Sequence, residues 1–265
     1  MITLSTMGGL GNQMFQISAL HSLSLSSAYS YEVCPQKHYG PLQGNPFSRY
    51  ESTIFSKVPR GCTSHADNLS NLSLAHTPFL DNKAREYNGS FGVYGYFQSP
   101  DFFSSCFSEI RELYGPSPQE INYLNKKYNF TASSLCIGVR RGDYEQSGIH
   151  IVQPLDYYLN AIKLLKGKFD FNPRTVFLTS DDPAWCKDHL GFLNFTLLEE
   201  EDYLDMYAMS LCPFIIGSNS TFHWWGAFLS TSLEQACVFP SLWLNGVASS
   251  SMDHLFSPFS KCFLS

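Results

Sequence analysis

The chain has 265 residues and a mass of 29.9 kDa, with 44% hydrophobic and 15% aromatic residues. That is too apolar for a disordered protein, and at 15% charged residues it is short of charge beside the roughly 25% of ordinary soluble domains. A net charge of −6 and a pI near 5.7 exclude a general nucleic-acid binder, which would carry a basic stripe.

The length fits one large or two modest domains with a sizeable core. No window approaches ~20 consecutive apolar residues, so no transmembrane segment is expected. The opening Met1-Ile2-Thr3-Leu4-Ser5 lacks the basic and apolar regions of a secretory signal. Eight cysteines without a CxxC pair predict neither a zinc site nor a disulfide framework. They read as buried thiols in a reducing, cytoplasmic setting. Asn-x-Ser/Thr triplets such as Asn68-Leu69-Ser70 and Asn129-Phe130-Thr131 follow from a Ser- and Asn-rich composition. The last residues, Cys262-Phe263-Leu264-Ser265, superficially fit a prenylation box, and a packed C-terminal strand or loop accounts for them equally.

In chain order, residues 2–5 form a short apolar strand that runs into Met7-Gly8-Gly9-Leu10-Gly11-Asn12. From Gln13 the spacing of Met14, Ile17, Leu20, Leu23 and Leu25 predicts a helix. Strand, glycine turn and helix open a nucleotide-binding α/β domain. The stretch 35–90, rich in Pro, Gly, Ser and Asn, reads as loops with short elements. Ser117-Pro118-Gln119-Glu120 starts a helix that runs to about Asn129, with Pro at its first position and an acid in its first turn. Apolar runs at 134–139, 175–179, 214–217 and 236–240 read as buried strands. Helices at 156–166, 201–211 and 221–229 alternate with them. The alternation predicts a parallel, doubly wound sheet from 134 onward and a seam near Ser117. The domains are taken as 1–132 and 133–265, each a Rossmann-like α/β half.

Four polar clusters follow the carboxyl ends of these strands, where open α/β sheets bind ligands. In Gly8-Gly9-Leu10-Gly11-Asn12-Gln13, glycines let a backbone approach a phosphate or sugar, or simply make a tight turn. Arg140-Arg141-Gly142-Asp143-Tyr144 places two of the chain's seven arginines at the end of an apolar strand. A guanidinium there calls for an anion, either a phosphate or a structural carboxylate. Neighbouring side chains on a strand point to opposite faces, which favours the structural reading for Arg141. Ser180-Asp181-Asp182 either binds a ribose, base or metal, or caps a helix. In Gly217-Ser218-Asn219-Ser220-Thr221-Phe222-His223-Trp224-Trp225-Gly226, hydroxyls and backbone N–H groups converge before a helix in a way that suits a diphosphate. The two Trp residues stack beside that site or pack in the core, and His223 reads as a surface or packing residue. The acidic run Glu199-Glu200-Glu201-Asp202 is a solvated helix start. No Gly-x-Ser-x-Gly elbow and no Walker lysine is present.

Together with Gly95-Tyr96-Phe97-Gln98-Ser99 and Tyr157-Tyr158, these segments resemble glycosyltransferase family 11, the α-1,2-fucosyltransferases, in the family's order from Met7 to about Leu244. The resemblance implies a GT-B-like architecture with a cleft between the halves, the acceptor on the first half and the donor on the second. It implies inverting transfer of L-fucose from GDP-fucose to a sugar hydroxyl of a glycan acceptor, with no metal or other cofactor. It places Arg140 at the β-phosphate, Asn219, Ser220 and Thr221 near the diphosphate, and Gly11, Asn12 and Gln13 facing the cleft. Asp143 braces Arg140 or acts as base. Arg141, Ser180, Asp181, Asp182 and Trp224 complete the expected donor-binding set. There are two departures. The family usually has His two positions before the first Arg, where this chain has Gly138, and His223 stands where the family more often has Ser. Rival readings are a GT-B transferase with another donor or linkage, and a GDP-sugar- or glycan-binding module that has lost activity through Gly138. Without a membrane anchor, the chain looks like a soluble bacterial or viral type.

Overall fold

A computed structural model describes residues 1–27, 29–38, 44–61, 69–71, 91–169, 171–230, 232, 235–246 and 249–265. The chain divides into two α/β units, Met1–Gly115 and Pro116–Ser265.

The first unit is built on β1 (Ile2–Thr6), whose five residues are all buried. It pairs in parallel with β2 (Tyr31–His38) on one side and β4 (Phe91–Tyr94) on the other, and β3 (Leu69–Asn71) lies outside β4. Helix α1 (Leu10–Ser26) follows β1 directly and buries Met14, Ile17 and Leu20, as its spacing predicts. It also buries Gln13, Gln16 and Ser18, so that helix is less amphipathic than its length suggests. A short α2 (Phe47–Tyr50), a 3-10 helix at Pro100–Cys106 and α3 (Phe107–Tyr114) complete the unit. Of the stretch read as loops, 39–43, 62–68 and 72–90 lie outside the described residues, and Asn68 with them.

The second unit opens with α4 (Pro118–Tyr128), started by a full capping box between Ser117 and Glu120. Its Leu124 is buried, and Tyr123, Lys127 and Tyr128 all donate to the Glu200 carboxylate. The boundary therefore falls at 115/116, ahead of the 132/133 taken from sequence, because these contacts tie α4 to the second sheet. That sheet comprises β5 (Ser134–Val139), β6 (Thr175–Ser180), β7 (Thr196–Leu197), β8 (Phe214–Ile216), β9 (Ala236–Phe239) and β10 (Cys262–Leu264). Its order is β10-β9-β8-β5-β6-β7 and every pairing is parallel. All six residues of β5 are buried, as a central strand covered on both faces requires. The flanking helices are α5 (Tyr144–Ser147), α6 (Leu155–Phe169), α7 (Pro183–Leu190), α8 (Asp202–Ser210) and α9 (Thr221–Phe228). Cys262 lies in β10, so the chain's last residues form an edge strand.

Both sheets reverse direction. From β1 the chain passes to β2 on one side and later to β4 on the other. From β5 it passes to β6, then to β8 on the opposite side. Each reversal leaves a crevice at the strands' carboxyl ends. Among the described residues no helix is long and apolar enough to cross a membrane. Six of the seven described cysteines are free, but Cys34 is disulfide-bonded, which departs from the expectation of thiols throughout.

Candidate active site

At the β5/β8 reversal, Arg140 follows β5 immediately. Its Nη2 meets Asp143 Oδ1 at 2.8 Å and its Nε meets Asp181 Oδ2 at 3.2 Å. Nη1 has no partner among the described residues, and the side chain stays 34% exposed. The guanidinium also lies 5.6 Å from the Tyr144 ring centroid. Tyr144 in turn donates its hydroxyl to the Asn219 carbonyl at 2.9 Å and stacks on His150 at 4.2 Å. The loops after β5 and β8 are thereby joined through one tyrosine. Gly142 makes room for this corner, because a Cβ there would come within 2.6 Å of Asp181 Oδ2.

The anion that the sequence demanded for the two arginines is thus supplied in part by the chain's own carboxylates. Arg141 meets carboxylates as well, though its buried Nε has no hydrogen-bond partner among the described residues. It pairs with Glu145 at 2.6 Å and with Asp182 at 3.4 Å, the latter too poorly aligned to be a hydrogen bond, and lies 4.4 Å from the Trp185 centroid. With 16% of its side chain exposed, it braces the start of α7. Ser180 and Asp182 are capping residues. Ser180 Oγ accepts from Asp182 N–H at 2.9 Å, and Asp182 Oδ1 accepts from Trp185 N–H at 3.0 Å. Asp181 does face the corner, accepting the Arg141 backbone N–H at 2.9 Å while it pairs with Arg140.

Opposite Arg140, the β8 loop turns into α9. Gly217 is forced by packing, since a Cβ there would lie 2.3 Å from the Phe239 ring. Tyr157 donates its hydroxyl to the Gly217 carbonyl. Asn219 is 1% exposed and its side chain points inward. It donates to the Trp243 carbonyl at 2.8 Å and accepts from Gln153 at 3.2 Å. The Asn219 amide thereby shapes the loop. Ser220 occupies the N-cap of α9, the position where a serine normally bonds the helix's first N–H groups. Here it makes no cap bond, and its Oγ has no partner among the described residues. Thr221 is the first helical residue and half-buried.

Trp224 is fully buried. Its indole donates to the Leu255 carbonyl at 2.7 Å and stacks on Phe228 at 5.1 Å. Its expected contact with donor is corrected, because α9 buries every residue from His223 to Phe228 and is a core helix. His223 is not a surface residue either. Burial, with the Arg140 charge second, lowers its pKa to about 3.

In the first unit, the expected cluster gathers at the β1/β4 reversal. Gln98, in the loop after β4, donates to Asn12 at 2.7 Å. Gly8 takes φ +72°, and a Cβ there would strike the Asn12 amide at 2.3 Å. Gly11 is buried in α1's first turn. Gln13 is wholly buried and donates to the Gly8 and Asn45 carbonyls at 3.1 and 2.9 Å, tying down the turn, while its Oε1 has no partner among the described residues.

Among the described residues no group of three or more His, Cys, Asp or Glu is placed to hold a metal ion. Sequence reasoning missed Gln153 and Trp243 as supports of the β8 loop, and it gave Tyr157 no such role. The signals that pointed there are a polar residue set between Val152 and Pro154 and the Tyr157-Tyr158 pair.

Comparison with known proteins matches residues 1–239 to the glycosyl transferase family 11 model. An alpha-1,2-colitosyltransferase of Escherichia coli is 28% identical, with 93% of each chain covered. A galactoside 2-alpha-L-fucosyltransferase of Caenorhabditis elegans is 25% identical over 87% of this chain and 69% of its own. The structure of NodZ alpha-1,6-fucosyltransferase co-crystallized with GDP superimposes with a TM-score of 0.55 at 15% identity, covering 86% of this chain and 92% of that one. The shared fold is GT-B-like, with two α/β units built on parallel sheets.

Proposed function

The chain belongs to glycosyl transferase family 11, and from that premise we propose that it transfers L-fucose from GDP-fucose to a sugar hydroxyl of a glycan acceptor, in α-1,2 linkage and with inversion. The observation that carries the donor site is the uncapped start of α9, with Ser220 Oγ unpartnered, beside the exposed Arg140 guanidinium at the β5/β8 reversal. A helix N-terminus and an arginine with a spare N–H together suit a diphosphate. The fucosyltransferase relative supports fucose as the sugar.

In the reaction, the acceptor oxygen bonds to the anomeric carbon as that carbon's bond to the diphosphate oxygen breaks. The electron pair departs with GDP, and Arg140, Ser220 and the start of α9 stabilise the growing charge. Asp143 holds Arg140 in place through one carboxylate oxygen. As an exposed carboxylate in this corner, it takes the acceptor proton. We assign donor binding to the second unit and acceptor recognition to the first. We propose that the reaction needs no metal, since Arg140 and the start of α9 supply positive charge and N–H groups for the departing diphosphate. Six free thiols among the described cysteines support a cytoplasmic setting, and the Cys34 disulfide counts against it.

The test is mass spectrometry of the protein incubated with an acceptor-glycan panel and GDP-fucose, GDP-mannose or a colitose donor, with and without EDTA. Fucosylated product and free GDP are expected, undiminished by EDTA. Transfer from another donor alone, or GDP-fucose binding without transfer or hydrolysis, would overturn the proposal.

A further inference from the structure

The ring of His223, in the first turn of α9, lies across the α-carbon of Gly138. A Cβ at 138 would sit 2.5, 2.6 and 2.6 Å from its Cδ2, Cγ and Nε2. Residues 138 and 140 are two apart on an extended chain and so share a face. The imidazole therefore fills the volume that a side chain on Arg140's face would otherwise take. Glycine inside a buried strand is what lets it in. Nδ1 accepts the Ser218 backbone N–H at 3.2 Å and lies 3.0 Å from Ser218 Oγ. An accepting Nδ1 fixes the proton of the neutral ring on Nε2. That N–H has no hydrogen-bond partner among the described residues, although only 4% of the residue is accessible. With no acceptor among the described residues, that N–H is free to donate to a bound ligand or to water.

We infer that His223 Nε2–H donates a hydrogen bond to the diphosphate of the donor nucleotide, beside Arg140 at the β5/β8 reversal. This rests on the GDP-sugar reading above. A lowered pKa keeps the ring neutral near pH 7, so it serves as a donor without adding a second cation next to Arg140. The Gly138 and His223 departures then form one exchange, in which the helix delivers an imidazole to the place where the strand carries none.

The experiment measures GDP affinity by calorimetry, GDP-fucose turnover and melting temperature in the full chain. His223→Asn keeps an acceptor for the Ser218 N–H but reaches no further, whereas His223→Gln extends an amide N–H toward the Nε2 position. His223→Asn is expected to melt near wild type while losing about 10²-fold in turnover and weakening GDP binding. His223→Gln should recover most of both. The double variant Gly138→His with His223→Ser should exceed either single change, because one ring again fills one volume, and it decides the matter if His223→Asn fails to fold. Unchanged GDP affinity and turnover in His223→Asn, or a double variant no better than its parents, would overturn the inference. Wild-type protein that neither binds GDP nor consumes GDP-fucose would instead overturn the fucosyl reading.

Discussion

The β1/β4 and β5/β8 reversals have the same topology and opposite chemistry. In the first unit the crevice is lined by neutral amides bonded mostly to backbone, with Gln13 Oε1 left buried and unpaired among the described residues. Gln98 bonds Asn12, Gln13 bonds Gly8 and Asn45, and Gln16 bonds both backbone groups of Met7. In the second unit a charged arginine faces a helix start whose N-cap serine caps nothing. A glycine turn between strand and helix is thus only a scaffold. What sets the two crevices apart is the residue that the neighbouring strand brings, an arginine after β5 and none after β1.

The sharpest break in this comparison is Arg140→Ala against Gln13→Ala. Removing Arg140 should lower kcat by about 10²–10³-fold, or about 2.7–4 kcal/mol, by analogy with loss of an oxyanion-hole donor. Gln13→Ala should lower the unfolding midpoint while leaving GDP affinity unchanged, since it only unties the first turn.

The two turn glycines come next. Gly217→Ala forces a methyl into the Phe239 ring, and Gly8→Ala strains a left-handed backbone against Asn12. Each should cost about 1–3 kcal/mol in denaturant titrations, but only the Gly217 variant should also weaken GDP binding.

Acid distinguishes the units more gently. His223 has a folded pKa of about 3 against an ordinary 6.5, a depressed base. Its contribution to stability is therefore present above pH 6.5 and is lost as pH falls toward 3. Between pH 6.5 and 5 the loss is about 2 kcal/mol. His223→Asn should lack this loss, as unfolding midpoints at the two pH values would reveal. The smallest effect is expected from Arg141→Met, with about 1 kcal/mol of stability lost and GDP affinity unchanged. A large loss of GDP affinity would return Arg141 to the donor site.

Much of the second unit was legible, because strands buried on both faces are written as apolar runs and 134–139 could hardly be anything else. β7, with two residues, and β10, at the polar C-terminus, are too short to leave a period. The helical stretch Pro100–Tyr114 escaped for a different reason, its apolar residues being interrupted by a kink at Phe103. Arg140 stood out because a low-charge chain does not place a cation at the end of a core strand without a partner. That Asp181, forty-one positions away, is among its partners depends on strand pairing that no local pattern records. That Trp224 and Asn219 turn inward was not legible, because a ring or an amide near a loop looks alike in sequence whichever way it turns. His223 left one faint trace, a glycine in the middle of an otherwise branched and apolar strand.

The central claim is that the β5/β8 corner binds the departing GDP and drives transfer. Single-turnover assays of wild type and Arg140→Ala, with GDP-fucose, an acceptor glycan and equal enzyme concentrations, test it most directly. The account predicts rapid formation of fucosylated glycan by wild type and a rate at least about 10²-fold lower for the variant. A variant that transfers fucose at close to the wild-type rate would contradict it.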